Sequence, residues 1–203
     1  MLTRRRLLLL TAAAVLVMRP ASRAFAESAS DRAAAFVKKV GDQLVGIVNG
    51  PGSEQDKRHR LQEVIDGAVD VDGVARFCLG RYWRTATPEQ QKQYMALFHD
   101  VLVNSITGKL GEYQGVRLTL GRTQSREDTQ AVSSVVERPN NPPSQVEWVI
   151  SEATGSPKIV DVVAEGTSLR LTQRSDYAAY LAQHNNNMQS LIEAMKQQVA
   201  QSG

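Results

Sequence analysis

Three histidines and one cysteine are the side chains of this sequence best suited to acid–base or nucleophilic chemistry. His99 precedes Asp100 in a stretch whose apolar spacing predicts a helix, and adjacent residues on a helix point about 100° apart. The pair therefore does not converge on one substrate. His59 and His184 lie elsewhere, and the three histidines lack the spacing of metal ligands. With no nucleophile motif and no glycine-rich phosphate loop, an enzyme stays the alternative hypothesis, and we expect neither a metal nor a cofactor.

Cys78 is the single cysteine, so no internal disulfide can form. It lies between Phe77 and Leu79, where a free thiol is expected to pack as a small buried hydrophobic group. The fold must therefore rest on packing rather than on covalent cross-links.

Residues 1–26 have the organisation of an export signal. Arg4, Arg5 and Arg6 form a basic head, residues 7–18 form an apolar stretch too short to span a bilayer, and residues 24–26 read Ala-Phe-Ala, a small-x-small cleavage pattern. The head fits a twin-arginine signal as well as an ordinary secretory one. The alternative of an uncleaved anchor conflicts with the cleavage pattern. We expect a periplasmic chain that begins at Glu27.

Removal of the signal changes the sign of the net charge. The whole chain has 24 basic and 21 acidic residues, but residues 1–26 hold five arginines and no acid, so 19 basic and 21 acidic residues remain. A nucleic-acid partner, which needs a net basic face to displace phosphate counterions, is not expected. By the same argument, neither is a strong attraction to anionic lipid surfaces. Residues 27–203 have the length of a single domain with a sizeable core.

Apolar spacing predicts helices in the first two thirds of this domain. The predicted segments are 28–48, a second helix that includes residues 61–68, and a short amphipathic helix over 71–83. Thr87, Pro88 and Gln90 then give the cap, first position and capping-box residue of a further helix. Its wide apolar face is made of Tyr94, Leu97, Phe98, Val101, Leu102 and Ile106.

After Tyr113 the apolar period changes to that of strands. Alternation predicts strands over 116–120, 131–138 and 145–151, and the β-branched run at 158–171 predicts a fourth, central strand. Short links between them indicate a curved antiparallel sheet, and a last helical region covers residues 177–199. The predicted fold class is therefore α+β, with several helices covering a sheet of about four strands.

Several of these segments also carry short motifs. They are Leu79-Gly80 with Tyr82-Trp83-Arg84, Thr87-Pro88-Glu89-Gln90, Lys158-Ile159 with Asp161-Val162, Gly166-Thr167-Ser168-Leu169, and Arg174-Ser175-Asp176-Tyr177. In order and spacing they resemble the MlaC family of periplasmic lipid-shuttle proteins, also called the toluene-tolerance auxiliary family. The resemblance spans essentially all of residues 27–203.

Two positions depart from the family pattern. Pro157 replaces a tryptophan that the family usually has before Lys158, and a tyrosine usual near Ser105 and Ile106 is missing. These departures concern the ligand more than the fold. Since a similar sister group is attached to hopanoid metabolism, a hopanoid is the alternative cargo to a phospholipid.

The resemblance implies a carrier with a lipid cavity between sheet and helices. A two-chain lipid in water exposes on the order of 30 methylenes, or about 24 kcal/mol at roughly 0.8 kcal/mol each, so both tails must be enclosed. The helix face is expected to oppose the sheet across this cavity. The predicted lipid-binding residues are Tyr82, Trp83, Tyr94, Phe98, Val101, Leu102, Ile106, Val135, Trp148, Val160 and Val162.

The resemblance also implies the partners. These are an outer-membrane lipoprotein complex and an inner-membrane ABC transporter with its substrate-binding membrane protein, with the protein moving lipid between them. A periplasmic adaptor with a filled core shares most of the same sequence features and stays open beside the enzyme hypothesis.

Overall fold

The computed structural model describes residues 28–202, which fold into six α-helices and a five-stranded antiparallel sheet with strand order β1-β2-β3-β4-β5. The predicted export signal, residues 1–26, lies outside the described residues. Within the described part of the chain, no helix combines the length and the apolar character needed to cross a membrane. The α+β prediction is confirmed, with one short strand more than expected.

The first two helices begin at serine caps. Helix α1 spans Ala29–Asn49 and α2 spans Glu54–Ala68, close to the predicted segments. The Ser53 side chain accepts from the Asp56 backbone N–H, and the Asp56 carboxylate accepts from the Ser53 N–H at 3.1 Å, which completes a capping box. Two helices therefore form where the local sequence specifies both their starts and their apolar faces.

The predicted helix over 71–83 divides at a glycine. Helix α3 spans Val71–Leu79, and a 3₁₀ turn follows at Gly80–Arg84. Gly80 has a φ of 58°, and a Cβ at this position would lie 3.3 Å from the guanidinium of Arg174. Glycine meets both requirements, a left-handed backbone and close approach of another side chain.

Helix α4 spans Pro88–Thr107 and begins at the predicted capping box, with Thr87 accepting from the Gln90 N–H. Tyr94 and Phe98 are buried as expected, but Ile106 is 40% exposed. Val103 and Thr107 are buried instead, about half a turn away from Tyr94 around the helix. Because α4 packs against α2 as well as α6, two of its sides are buried.

The sheet is formed by β1 (Arg117–Arg126), β2 (Thr129–Glu137), β3 (Ser144–Ser151), β4 (Lys158–Ala164) and the two-residue β5 (Thr167–Ser168). The predicted strand at 158–171 is therefore too long. The chain turns at Glu165 and Gly166, both with positive φ, and Ser168 then caps a helix by accepting from the Leu171 N–H. Leu169 to Leu171 form the first turn of that helix and not the end of a strand.

Helix α5 spans Leu169–Gln183 and α6 spans Met188–Ser202. They are separated by a turn in which Asn185 and Asn186 each have a φ of 56°, a conformation that asparagine tolerates better than most residues. Helix α6 then packs back on both α4 and α5.

Buried apolar residues form two clusters. The helical cluster comes from α3, the 3₁₀ turn, α4, α5 and α6, and its largest fully buried members are Tyr94, Leu79, Leu181, Ile192 and Met195. The sheet cluster joins α1 and α2 to one face of the sheet; its buried members are Ala33, Val37, Val40, Ala68, Val132, Ile150 and Ile159. The clusters meet where α3 and α5 pack on β4 and where α2 packs on α4.

Candidate functional site

A row of apolar side chains crosses the middle of the sheet. The register pairs Val132 with Trp148 and Trp148 with Val162, so the three side chains share one face. The Trp148 indole N–H donates to Ser134 Oγ at 2.9 Å, which fixes the ring. Val132 is buried, whereas Trp148 and Val162 are only half-buried although they lie on central strands. The sheet thus presents apolar surface that its covering helices do not fully bury.

The other two predicted sheet residues do not extend this row. Val135 lies an odd number of positions from Val132, which places it on the opposite face of β2. Val160 is the unpaired residue of a bulge, because Val149 pairs with Asp161 while Ile150 pairs with Ile159. Simple alternation fails here, since the bulge was not visible in the sequence.

The predicted residues of α4 lie in the helical cluster. Tyr94, Phe98 and Tyr177 form an aromatic trio with ring centroids 5.9 to 6.5 Å apart. The Tyr94 hydroxyl donates to the Ala75 carbonyl at 2.8 Å, and burial raises the pKa of Tyr94 well above its usual range. Tyr94, Phe98 and Val101 are thus packed core residues, while the neighbouring Leu102 is half-buried.

Tyr82 and Trp83 lie in the 3₁₀ turn at the edge of the helical cluster. The Tyr82 hydroxyl donates to the Asn186 side chain at 2.8 Å and ties this turn to the α5–α6 turn. Trp83 is half-buried, with the Arg76 guanidinium 5.4 Å from its ring centroid.

The predicted site residues are therefore divided. Those of α4 pack mainly toward α3, α5 and α6, and Trp148 and Val162 belong to the sheet cluster. The sequence predicts that the α4 face opposes the sheet across a lipid cavity, and the structure places these two sets of residues in separate apolar clusters. Their role in lipid binding stays a prediction.

Asp161 joins the two regions, a role that sequence reasoning missed. The residue is 8% exposed, and its carboxylate accepts hydrogen bonds from Ser168 Oγ at 2.6 Å and from the Arg170 backbone N–H at 3.1 Å. The Arg170 Nε lies 3.4 Å away as an ion-pair partner. A carboxylate in the middle of an apolar strand must find internal partners, and that signal was present in the sequence. Asp161 fastens the start of α5 to β4.

The side chains suited to acid–base or nucleophilic chemistry lie far apart. His99 Nε2 lies 2.7 Å from Asp66 Oδ1 on α2, and its Nδ1 lies 3.5 Å from Asp100. Burial lowers the pKa of His99, but the bonds to Asp66 and Asp100 outweigh it and leave the pKa raised. Cys78 is buried, as predicted, and burial raises its pKa to about 12, which leaves a thiol and not a nucleophilic thiolate. Among residues 28–202, no three His, Cys, Asp or Glu side chains are grouped to hold a metal.

Two surface grooves of about 320 and 170 Å³ lie between α5 and α6. The first groove is lined by residues that include Tyr180, His184 and Glu193. The second combines the polar Gln173 and Asp176 with apolar side chains such as Leu191. None of the predicted lipid-binding residues contributes to either groove.

The protein therefore has an α+β fold with two apolar regions. One is the incompletely covered apolar row of the antiparallel sheet, and the other is the separate core of the flanking helices. The family model described as "MlaC protein" matches residues 38–197. The chain belongs to the MlaC family, which confirms the resemblance seen in its motifs.

Two relatives support this assignment. "Toluene tolerance protein ttg2D" of Pseudomonas putida is 23% identical over 144 residues, covering 70% of this chain and 67% of that protein. The structure is similar to that of a phospholipid-binding protein from Ralstonia solanacearum, solved in complex with a phospholipid. The TM-score is 0.74 at 22% sequence identity, and the match covers 84% of this chain and 98% of the other. This likeness shows the shared fold.

Proposed function

We propose that the protein is a periplasmic phospholipid carrier that encloses the lipid tails and exchanges the lipid with membrane complexes on either side. The observation that carries the proposal is the shared fold, which covers 98% of a chain solved with a bound phospholipid. The partners are an outer-membrane lipoprotein complex and an inner-membrane ABC transporter with its membrane-bound substrate-binding protein. This part of the proposal rests on membership of the MlaC family.

The tails would lie between the helical cluster and the sheet cluster. Half-buried apolar side chains are the better candidates for tail contact, because they offer apolar surface without prior unpacking. In the helical region these include Leu102 and Trp83, and on the sheet they include Trp148 and Val162. Tyr94, at 0% exposure, would reach a lipid only after the aromatic trio had separated, so we assign it to the core.

Entry of the lipid would require the two clusters to separate locally. Asp161 holds α5 to β4, whereas α4 is joined to α2 at a more exposed point, through His99 and Asp66. A local separation of α4 from α2 would break the partly exposed His99–Asp66 contact and leave the buried bonds of Asp161 and of Tyr94 to Ala75 intact, so it is the opening that we propose. The free energy released when the tails are enclosed is large, since each enclosed methylene contributes roughly 0.8 kcal/mol.

Native mass spectrometry of protein purified from the periplasm without detergent, followed by extraction of the ligand, tests the proposal. A single phospholipid per chain is the expected result. A bound polycyclic lipid of hopanoid mass would change the identity of the cargo but leave the carrier function in place. A chain that stays empty after incubation with phospholipid vesicles would contradict the carrier function and favour an adaptor.

A matched pair of variants tests the position of the tails. Val162 shares a face with Trp148, whereas its neighbour Val163 pairs with Glu147 on the opposite face, and both valines are half-buried. Val162→Asn should reduce bound phospholipid at least about fivefold, because the amide must be desolvated against the tails. Val163→Asn should retain it. Equal lipid content in the two folded variants would mean that this face of the sheet does not contact the tails.

A further inference from the structure

Five arginines gather where α3, the 3₁₀ turn and α5 meet. The guanidinium carbons of Arg170 and Arg174 lie 4.5 and 4.9 Å from the centroid of the Phe77 ring, and that of Arg81 lies 4.9 Å from the ring of Tyr82. Arg174 also approaches Gly80, next to Arg81. We call this the arginine surface, and it consists of Arg76, Arg81, Arg84, Arg170, Arg174, Leu169 and Leu171.

The charge of this surface is largely uncompensated. Within residues 28–202, Arg170 pairs with Asp161, but Arg76, Arg81, Arg84 and Arg174 have no carboxylate within ion-pair distance. The exposed acids of the same helices are Asp72 on α3 and Asp176 on α5. The surface therefore keeps a positive charge in a chain whose residues 27–203 include more acids than bases.

Exposed apolar side chains accompany this charge. Leu169 and Leu171 lie on either side of Arg170 in the first turn of α5, about 200° apart around the helix axis, so both meet a bilayer where the end of the helix dips into it. They are 51% and 54% exposed, more than any other large apolar residue of the described chain. Single exposed leucines need no explanation, but two of them beside several arginines combine the features of surfaces that bind lipid bilayers.

We propose that the arginine surface docks the protein on an anionic phospholipid bilayer, with guanidinium groups on the lipid phosphates and the two leucines among the upper acyl chains. Guanidinium groups match phosphate oxygens in geometry and charge. The net charge of the chain argued against such binding. A bilayer nevertheless responds to the charge of the face that it meets, since exposed charges more than about 8 Å apart are largely screened at physiological salt. This docking goes beyond lipid enclosure, because the arginine surface lies outside the half-buried sheet row.

Vesicle co-sedimentation tests the proposal, using protein purified from the periplasm whose mass confirms removal of the export signal. The protein should sediment with vesicles that contain equal parts of phosphatidylglycerol and phosphatidylcholine, and not with pure phosphatidylcholine. Arg76→Gln with Arg84→Gln should lower the partition coefficient about 25-fold, at about fivefold for each basic residue near an anionic surface. Lys109→Gln with Arg122→Gln makes the same charge change on exposed residues away from this surface and should leave binding within about twofold.

The leucines are tested separately. Leu169→Ser with Leu171→Ser should reduce vesicle binding about tenfold or more, while Leu169→Met with Leu171→Met should retain it. Native mass spectrometry should find the same bound lipid in all four double variants, so failure of docking is distinct from failure of the carrier function. The proposal is overturned if the wild type does not bind anionic vesicles or if the surface and control variants bind alike. Loss of cross-linking to a membrane protein, with vesicle binding unchanged, would assign the surface to a protein partner instead.

Discussion

The helical cluster and the sheet cluster bury their large side chains to different extents. In the helical cluster the large side chains of Tyr94, Leu181 and Ile192 are all 0% exposed, with half-buried side chains such as Trp83 and Leu102 packed against the buried ones. On the sheet side, the large residues Trp148, Leu120 and Phe36 are only half-buried around a core of smaller side chains. Complete burial indicates that a side chain belongs to the packed core. Half-buried apolar side chains in the middle of a protein leave apolar surface available to a ligand.

This difference separates two roles that one apolar pattern cannot distinguish. The helical cluster maintains the fold, and the sheet row with its half-buried neighbours is the region we propose for the tails. Substitutions of the fully buried residues of the helical cluster, such as Tyr94, should therefore change stability and leave lipid content per folded molecule unchanged. Substitutions in the sheet row should mainly reduce lipid content, with a smaller loss of stability, and the following variants test that contrast from the largest expected effect to the smallest.

Tyr94→Ala should lower the free energy of unfolding by about 3–5 kcal/mol, because it removes the centre of the aromatic trio and leaves a cavity. Urea denaturation followed by circular dichroism measures the loss. Tyr94→Phe is the control, with an expected loss of about 1 kcal/mol for the hydroxyl bond to Ala75. A Tyr94→Ala protein that stayed as stable as the wild type but lost its lipid would reverse the roles of the two regions.

Asp161→Ala should cost about 3 kcal/mol, since the Ser168 hydroxyl and the Arg170 side chain lose a buried charged partner. Hydrogen exchange should rise first in the opening turn of α5, because this is the segment that Asp161 ties to β4. Asp161→Asn keeps the shape and one acceptor and should cost less. Uniform exchange along the whole chain in the alanine variant would contradict a local role at this joint.

Trp148→Ala should cost only about 1–2 kcal/mol, because the ring is half-buried and loses a part of the full transfer free energy. The same variant should lose most of its bound phospholipid in native mass spectrometry. Trp148→Phe retains the apolar surface and should keep most of the lipid. Unchanged lipid in the alanine variant would remove the sheet row from the proposed site.

The contact of His99 with Asp66 should make a small, pH-dependent contribution of less than about 1 kcal/mol, because both side chains are partly exposed. The pKa of His99 is raised in the folded state, so this contribution is complete below about pH 6.5 and is lost as the pH rises through the folded pKa. Asp66→Asn should weaken that dependence and leave the part that comes from Asp100. Thermal unfolding from pH 5.5 to 8.5 measures it, and an increase in the contribution with pH would contradict the assignment.

Much of the fold could be predicted because its signals are local. The capping boxes at Ser53 and Thr87 specify helix starts through residues three positions apart. The box at Thr87 was predicted, and the box at Ser53 begins a helix that was predicted from its apolar spacing. The strand alternation around Trp148 likewise depends on neighbours in sequence. Errors arose where the chain changed element within an apolar run, as at Leu169, where Gly166 and Ser168 outweighed the apolar pattern.

The candidate site was less predictable, since it depends on residues far apart in sequence. Val135 and Val160 looked equivalent to Val162, but pairing placed the first on the opposite face and a bulge left the second unpaired. Ile106 fitted the apolar face of α4, but the segments packed against that helix leave it exposed and bury Val103 and Thr107 instead.

The sequence by itself determined the α+β class, the order of the elements and the MlaC family, because caps, apolar periods and short motifs are all readable within a few residues. Only the tertiary structure decided which apolar residues are core and which stay half-buried, how Asp161 joins α5 to β4, and that arginines from two separate segments share one surface. The physical reason is that burial and local charge depend on which segments meet in space. Composition and net charge average over these differences.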